Sequence, residues 1–224
     1  MIVNQELVKR LIPFMDVATE RDVEIPFVLN NLPIPDHNTK VLDVSCAYSQ
    51  MLLVLNEMGF DAWGIDLLDY GVPTTKFVRA DARQIPFPDK TFDVITNISA
   101  LEHYGLVETP YNTDTVYDQA AAFKAMQEMN RILKDDGKLI LTLPFGFTNS
   151  EQTLKWIKFY KMSEINELLS ATGFAISTLT VSKYTGDPEK KNGIWVETST
   201  EDGEKIETKG IVICNICMVL NKTK

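Results

Sequence analysis

An α/β fold built on a mostly parallel sheet is predicted by three features of this 224-residue sequence. Short apolar, β-branched runs alternate with helical stretches from residue 40 onward. The first such unit, Lys40 to Asp66, reads as strand, tight turn, helix, strand. An acidic residue closes each of its strands, Asp43 near the tip of the first and Asp66 at the tip of the second. Alternation of this kind puts crossover helices on both faces of a parallel sheet.

The elements follow in order. Leu7, Leu11, Phe14 and Met15 recur at helical spacing within residues 4–17. Pro26, Pro33 and Pro35 are then expected to break the chain before the first strand. Residues 1–37 thus read as an N-terminal helical cap, either over a ligand pocket or as an ordinary packing helix. The first strand is placed at 40–44. The turn Ser45 to Ser49 uses only small residues apart from Cys46 and Tyr48, and a helix over 49–58 is stopped by Gly59. Further strands are placed near 61–65, 75–79, 92–97, 138–143, 174–182 and 210–220, and helices near 115–133 and 163–172. The longer helix carries Phe123, Met126, Met129, Ile132 and Leu133 on one side, and Asp135-Asp136-Gly137 marks its change to strand. Residues 183–209 are too polar for a buried crossover helix and suit an antiparallel return, with Ile194, Trp195 and Val196 as a small extra strand. The whole reads as one domain: cap 1–37, core 38–182, polar link 183–209 and final strand 210–220.

Composition narrows the function. A 45% hydrophobic fraction supports a globular core. The net charge of −9 argues against a nucleic-acid partner, which calls for a basic face. No apolar run approaches the ~18 residues of a membrane span. The start, MIVNQELVKRLIPF, lacks the pattern of a secretory leader, and three cysteines suit a reducing compartment, so the expected location is cytoplasmic. Cys214 and Cys217 form a C-x-x-C, but positions three apart on a strand face opposite sides, so plain buried thiols are expected rather than a zinc or redox pair.

Several segments together resemble the class I S-adenosylmethionine-dependent methyltransferases. KVLDVSCAYSQMLLVLNEMGFDAWGID resembles the family's first motif and the acidic motif after it. RADARQIPFPDKTFDVITNISALEH, at 79–103, resembles its adenine-contacting, "PF-d–FD" and "EH" segments. EMNRILKDDGKLILTLPFG, at 128–146, and WIKFYKMSEINELLSATGFAI, at 156–176, resemble its later helices and strands. The match covers roughly residues 38–182. It implies a Rossmann-like, seven-stranded, mostly parallel sheet in the order 3-2-1-4-5-7-6 with the last strand antiparallel. It also implies S-adenosylmethionine as cofactor. One departure stands out: Ser45, Ala47 and Ser49 occupy the places where the family writes glycine.

Candidate residues follow from what the cofactor requires. Ribose hydroxyls need an acceptor, and Asp66, with Leu67 beside it, sits where such an acid belongs. Asp81 and the backbone of Ala82 suit the adenine edge. Asp43, the backbone of Ser45 and Ala47, and Asn97 suit the methionine end. His103 is the candidate base for an acceptor hydroxyl, with Glu102 as a second candidate; positioning of the acceptor is the other role open to His103. Tyr104, Tyr111 and Tyr117, in the long connection 104–118, could wall the acceptor. His37 reads as a loop residue, and no metal site is expected. The expected function is methyl transfer to a small molecule, a saccharide or other hydroxyl compound. The alternatives are a non-catalytic methyltransferase-like binding protein and, more remotely, a nicotinamide-dependent oxidoreductase, for which no G-x-G-x-x-G is present.

Overall fold

The run KVLDV forms β1 (Lys40–Val44), with Val41 to Val44 buried. Burial on both faces is what a central parallel strand requires. In this computed structural model, which describes residues 19–47, 49–69, 76–107, 117–187, 193–208 and 211–223, β1 pairs in parallel with β2 (Asp61–Asp66) and β4 (Phe92–Ile98). β3 (Lys76–Arg79) lies outside β2, and β5 (Leu133–Pro144) lies outside β4, both parallel. β8 (Cys214–Lys222) inserts antiparallel between β5 and β6 (Phe174–Thr185). β7 (Ile194–Thr198) pairs with β6 at the edge, giving the order β3-β2-β1-β4-β5-β8-β6-β7.

The expected seven-strand order is therefore present, with β8 as the returning strand. β7 is added from the polar link, which also holds a short helix, α6 (Thr200–Glu204). The expected N-terminal helix over 4–17, Tyr48 and Tyr111 lie outside the described residues.

Two expectations are corrected. Pro26 does not break the chain; it lies inside α1 (Arg21–Asn31). An interior proline removes one helical hydrogen bond and costs about 3 kcal/mol in isolation. Burial of Ile25, Val28 and Leu29 against the sheet offsets that cost, each such side chain contributing roughly 1.5–3 kcal/mol. Tertiary packing overrides local propensity here. Second, Asp135-Asp136-Gly137 is not a link before the strand but part of β5, which starts directly after α3 (Ala121–Ile132). The register jumps from Phe92↔Leu133 to Val94↔Lys138, so these residues bulge. Glycine is needed in that bulge because a Cβ at Gly137 would lie 2.8 Å from Leu133 Cδ1 and 2.9 Å from the Asp93 carbonyl.

Each sheet face has its own core. α1 and α2 (Met51–Glu57) cover one face, burying Leu29, Met51, Leu52 and Leu55. α3 and α5 (Met162–Thr172) cover the other, burying Met126, Met129, Ile165 and Leu169. A single-turn helix, α4 (Glu151–Leu154), follows β5. Cys214 and Cys217 are buried free thiols on β8, and burial pushes the Cys214 thiol up to about 12.

Candidate functional site

The turn after β1 is held by backbone and by two unlike neighbours. The Ser45 and Cys46 amides both donate to the Ile65 carbonyl, at 2.8 and 3.3 Å. Cys46 then folds inward over β2, which requires glycine there: a Cβ at Gly64 would lie 2.6 Å from Cys46 Sγ and 2.6 Å from Leu52 Cδ2. Of Ser45, Ala47 and Ser49, only Ser45 has a positive φ, 64°. That conformation costs a non-glycine residue roughly 1–2 kcal/mol. Its hydroxyl meets Tyr104 Oη at 2.6 Å, a bond glycine could not make. Tyr104 Oη also accepts from Asn97 Nδ2 at 3.1 Å, and that amide reaches the Val44 carbonyl at 3.3 Å. Tyr104 thus ties the turn after β1 to β4. Tyr117 is 60% exposed.

The two acids expected to hold adenosine are already engaged within the chain. Asp66 Oδ2 accepts from the Ala47 amide and Oδ1 from the Leu68 amide, both at 2.9 Å. The carboxylate thus braces the turn against β2, with one further acceptor position left on each oxygen. The Leu67 carbonyl accepts from Arg79 Nε at 2.8 Å. Asp81, just past β3, takes the Arg83 amide at 2.8 Å and the Arg83 guanidinium at 2.6–3.0 Å. Against the opposing effect of burial, those bonds hold its carboxyl below the usual carboxylate range. Ala82 is buried beside it.

Some buried polar side-chain atoms at the described residues have no partner. Three of the five such side-chain atoms among the described residues are Asp43 Oδ2, Asn97 Oδ1 and Glu102 Oε2. All three belong to the carboxyl ends of β1 and β4 or the turn after β4, where open α/β sheets bind ligands. Asp43 Oδ1 accepts from Thr96 Oγ1 at 2.7 Å. Burial pushes the Asp43 carboxyl up to about 7, although that hydrogen bond acts the other way. A buried acceptor without a donor costs about 1–3 kcal/mol, so Asp43 Oδ2 and Asn97 Oδ1 each suit an incoming group that brings N–H donors. The α-ammonium of S-adenosylmethionine is such a group, and the residues present fit it.

His103 and Glu102 lie in a single 3₁₀ turn, Leu101–His103. His103 Nδ1 contacts the Trp156 carbonyl at 2.6 Å, and the two rings stack with centroids 6.1 Å apart. A carbonyl only accepts, so Nδ1 carries the proton and the lone pair of the neutral ring sits on Nε2. Burial lowers the His103 pKa, which favours that neutral form. Burial also raises Glu102 well above the ordinary carboxylate range.

The residue that sequence reasoning missed is Glu24. It is fully buried, and its Oε1 accepts from Thr142 Oγ1 and Asn215 Nδ2, each at 2.7 Å, and from Ser99 Oγ. Its Oε2 pairs with Arg21. One acid on α1 thereby joins β5, β8 and the residue after β4. The available signal was its place on the helical stripe that continues through Ile25, Val28 and Leu29; the expected proline break concealed it.

Comparison with known proteins agrees with this architecture. The methyltransferase domain family matches residues 18–179. An uncharacterised protein of Methanocaldococcus jannaschii is 28% identical over 176 residues, 75% of this chain and 53% of that protein. The ubiquinone/menaquinone biosynthesis C-methyltransferase UbiE of Ectopseudomonas mendocina is 37% identical over 76 residues, 34% of this chain and 24% of that enzyme. The chain spans about half the length, or less, of the curated relatives it matches. Among solved structures, the 1,6-didemethyltoxoflavin-N1-methyltransferase of Burkholderia thailandensis, with S-adenosylhomocysteine bound, superposes with a TM-score of 0.60 at 15% identity. That superposition covers 95% of this chain and 81% of the Burkholderia enzyme, and at such identity it speaks for the fold alone. With a methyltransferase-domain match across most of its length and the sheet order that goes with it, the chain belongs to the class I S-adenosylmethionine-dependent methyltransferase family.

Proposed function

We propose that this protein transfers a methyl group from S-adenosylmethionine to a hydroxyl of a small molecule, a saccharide or related compound. The observation that carries the reading is that two buried acceptors without partners, Asp43 Oδ2 and Asn97 Oδ1, stand at the carboxyl ends of the neighbouring strands β1 and β4. In this reading they hold the methionine end, together with the backbone of Ser45 and Ala47. Asp66 uses its remaining acceptor positions for the ribose, next to Leu67, and Asp81 with the Ala82 backbone meets the adenine edge. When bound, the cofactor supplies a methyl group already activated by its sulfonium, so the protein's task is alignment and proton removal. His103 Nε2 takes the proton of the acceptor hydroxyl, while the Nδ1 bond to Trp156 fixes the ring.

The names of the similar proteins include nitrogen and carbon methylation, so the choice of a hydroxyl acceptor rests on His103. Three buried thiols support a reducing, cytoplasmic setting. A second reading, a binding protein without turnover, is favoured by one observation: the Ala47 amide is already spent on Asp66. Calorimetric titration with S-adenosylhomocysteine separates the two. Micromolar binding that is weakened in Asp66→Ala supports the first, and no binding supports the second.

A further inference from the structure

Two buried acids of opposite condition lie on the acceptor side of the sheet. Glu24 is fully partnered, as described above. Glu102 is 2% exposed, and its Oε2 accepts no hydrogen bond. The turn that carries Glu102 is pinned, because its carbonyl accepts from the Lys158 amide at 3.0 Å. From α1 and its cap, Glu24, Arg21 and Glu20 act on Glu102 electrostatically, and the hydroxyls of Tyr104 and Tyr160 feel its charge. Arg21 is the cation of this group, and it is ion-paired with Glu24. The site therefore holds an excess of carboxyl groups, one of them with a buried oxygen that no donor meets.

We propose that Glu102 binds a protonated amine on the acceptor, so that the substrate class is a small hydroxyl compound that also carries an ammonium group. This rests on the reading that His103 receives the acceptor hydroxyl. An ammonium brings both charge and up to three donors, the two things Glu102 Oε2 lacks. A neutral hydroxyl brings no charge, and an anionic group would add a like charge beside Glu20, Glu24 and Glu102. Burial disfavours a lone carboxylate at Glu102; when the ammonium binds, any proton on the carboxyl leaves to solvent and an ion pair forms. Glu102 and His103 are neighbours in one turn, so a ligand that meets both carries its amine and its hydroxyl on one small skeleton, as amino sugars and amino alcohols do.

The test uses the full chain, methyl-labelled S-adenosylmethionine, and two paired probes: glucosamine with N-acetylglucosamine, and 2-aminocyclohexanol with its N-acetyl derivative. Wild-type protein is expected to label the free amines at least tenfold faster than the acetylated partners, with the methyl group on oxygen by NMR. Glu102→Gln is expected to raise KM for the amines and reduce the preference to within about twofold. It should keep its affinity for S-adenosylhomocysteine and melt no lower than wild type, since it removes a buried acid one of whose oxygens has no partner. Equal use of acetylated probes, labelling on nitrogen, no labelling of either amine, or an undiminished preference in Glu102→Gln overturns the inference. Transfer confined to amine-free hydroxyl probes overturns this inference alone. Failure of the wild-type protein to bind S-adenosylhomocysteine overturns the methyl-transfer reading and this inference with it.

Discussion

The β1–β3 half of the site and the β4–β5–β8 half are built on different principles. In the first, polar groups are satisfied by close neighbours: Asp66 by two backbone amides, Asp81 by Arg83 two residues on. In the second, Glu24 is satisfied by residues 75, 118 and 191 positions away in the chain, and Glu102 Oε2 is left without a donor. Local satisfaction gives a preformed cradle that depends little on the rest of the fold. Long-range satisfaction makes the acceptor side depend on how α1 seats on the sheet, and the unspent carboxyl leaves binding free energy for a ligand.

The sharpest way to break this comparison is Glu24→Ala. It leaves Thr142, Asn215 and Arg21 facing an emptied buried site, and removing one member of a buried charged network typically costs about 3–5 kcal/mol. Urea denaturation should show that loss; a cost under about 1 kcal/mol would mean that α1 is not held by this acid. His103→Ala addresses the same half through turnover. The rate with a hydroxyl acceptor should fall by a factor of about 10²–10⁴ if the ring is a general base. Affinity for S-adenosylhomocysteine should stay within about threefold, or ~0.7 kcal/mol. Full activity would remove His103 from the site.

Asp66→Ala probes the local half. Loss of ribose hydrogen bonds to a charged acceptor should weaken S-adenosylhomocysteine by roughly 1.5–3 kcal/mol, while the fold survives. Wild-type affinity in that variant would sink the ribose assignment. Asp43 sits at the junction of the halves, and its raised pKa gives a signed prediction. The folded form binds its proton more tightly than the unfolded chain, so its contribution to stability is present at acid pH and declines as pH rises from about 4 to about 7. Asp43→Asn should flatten that decline in a pH series of denaturation midpoints; an unchanged slope would locate the effect in Glu20 or Glu102 instead. The smallest effect belongs to the turn. Ser45→Gly relieves a positive φ worth about 1 kcal/mol and loses the Tyr104 bond, worth about as much, so its melting temperature should barely move. Ala47→Gly has no such strain to relieve and should be slightly destabilising; a clear gain there would contradict the backbone described.

The positions of the cofactor-side residues were legible because a βαβ unit is local. Apolar runs fix β1, β2 and β4, and strand periodicity then puts Asp43, Asp66 and Asn97 at their carboxyl ends whatever the rest of the chain does. Even the unusual turn was legible as a departure. Its remedy was not, because Gly64, the residue that makes room for Cys46, lies on the opposite strand rather than in the turn.

The sequence by itself determined the alternation of strand and helix, the antiparallel return through a polar link, and the acids at the strand tips, since each depends on residues within a few positions of one another. Only the tertiary structure decided that Pro26 lies within a helix, that Glu24 bridges α1 to β5 and β8, that Tyr104 closes on Ser45, and that Glu102 is buried with Oε2 unpartnered. Each of these is set by burial against residues far along the chain. The free energy of burying an apolar face or a charge there exceeds the ~1–3 kcal/mol preferences that a local reading of sequence can weigh.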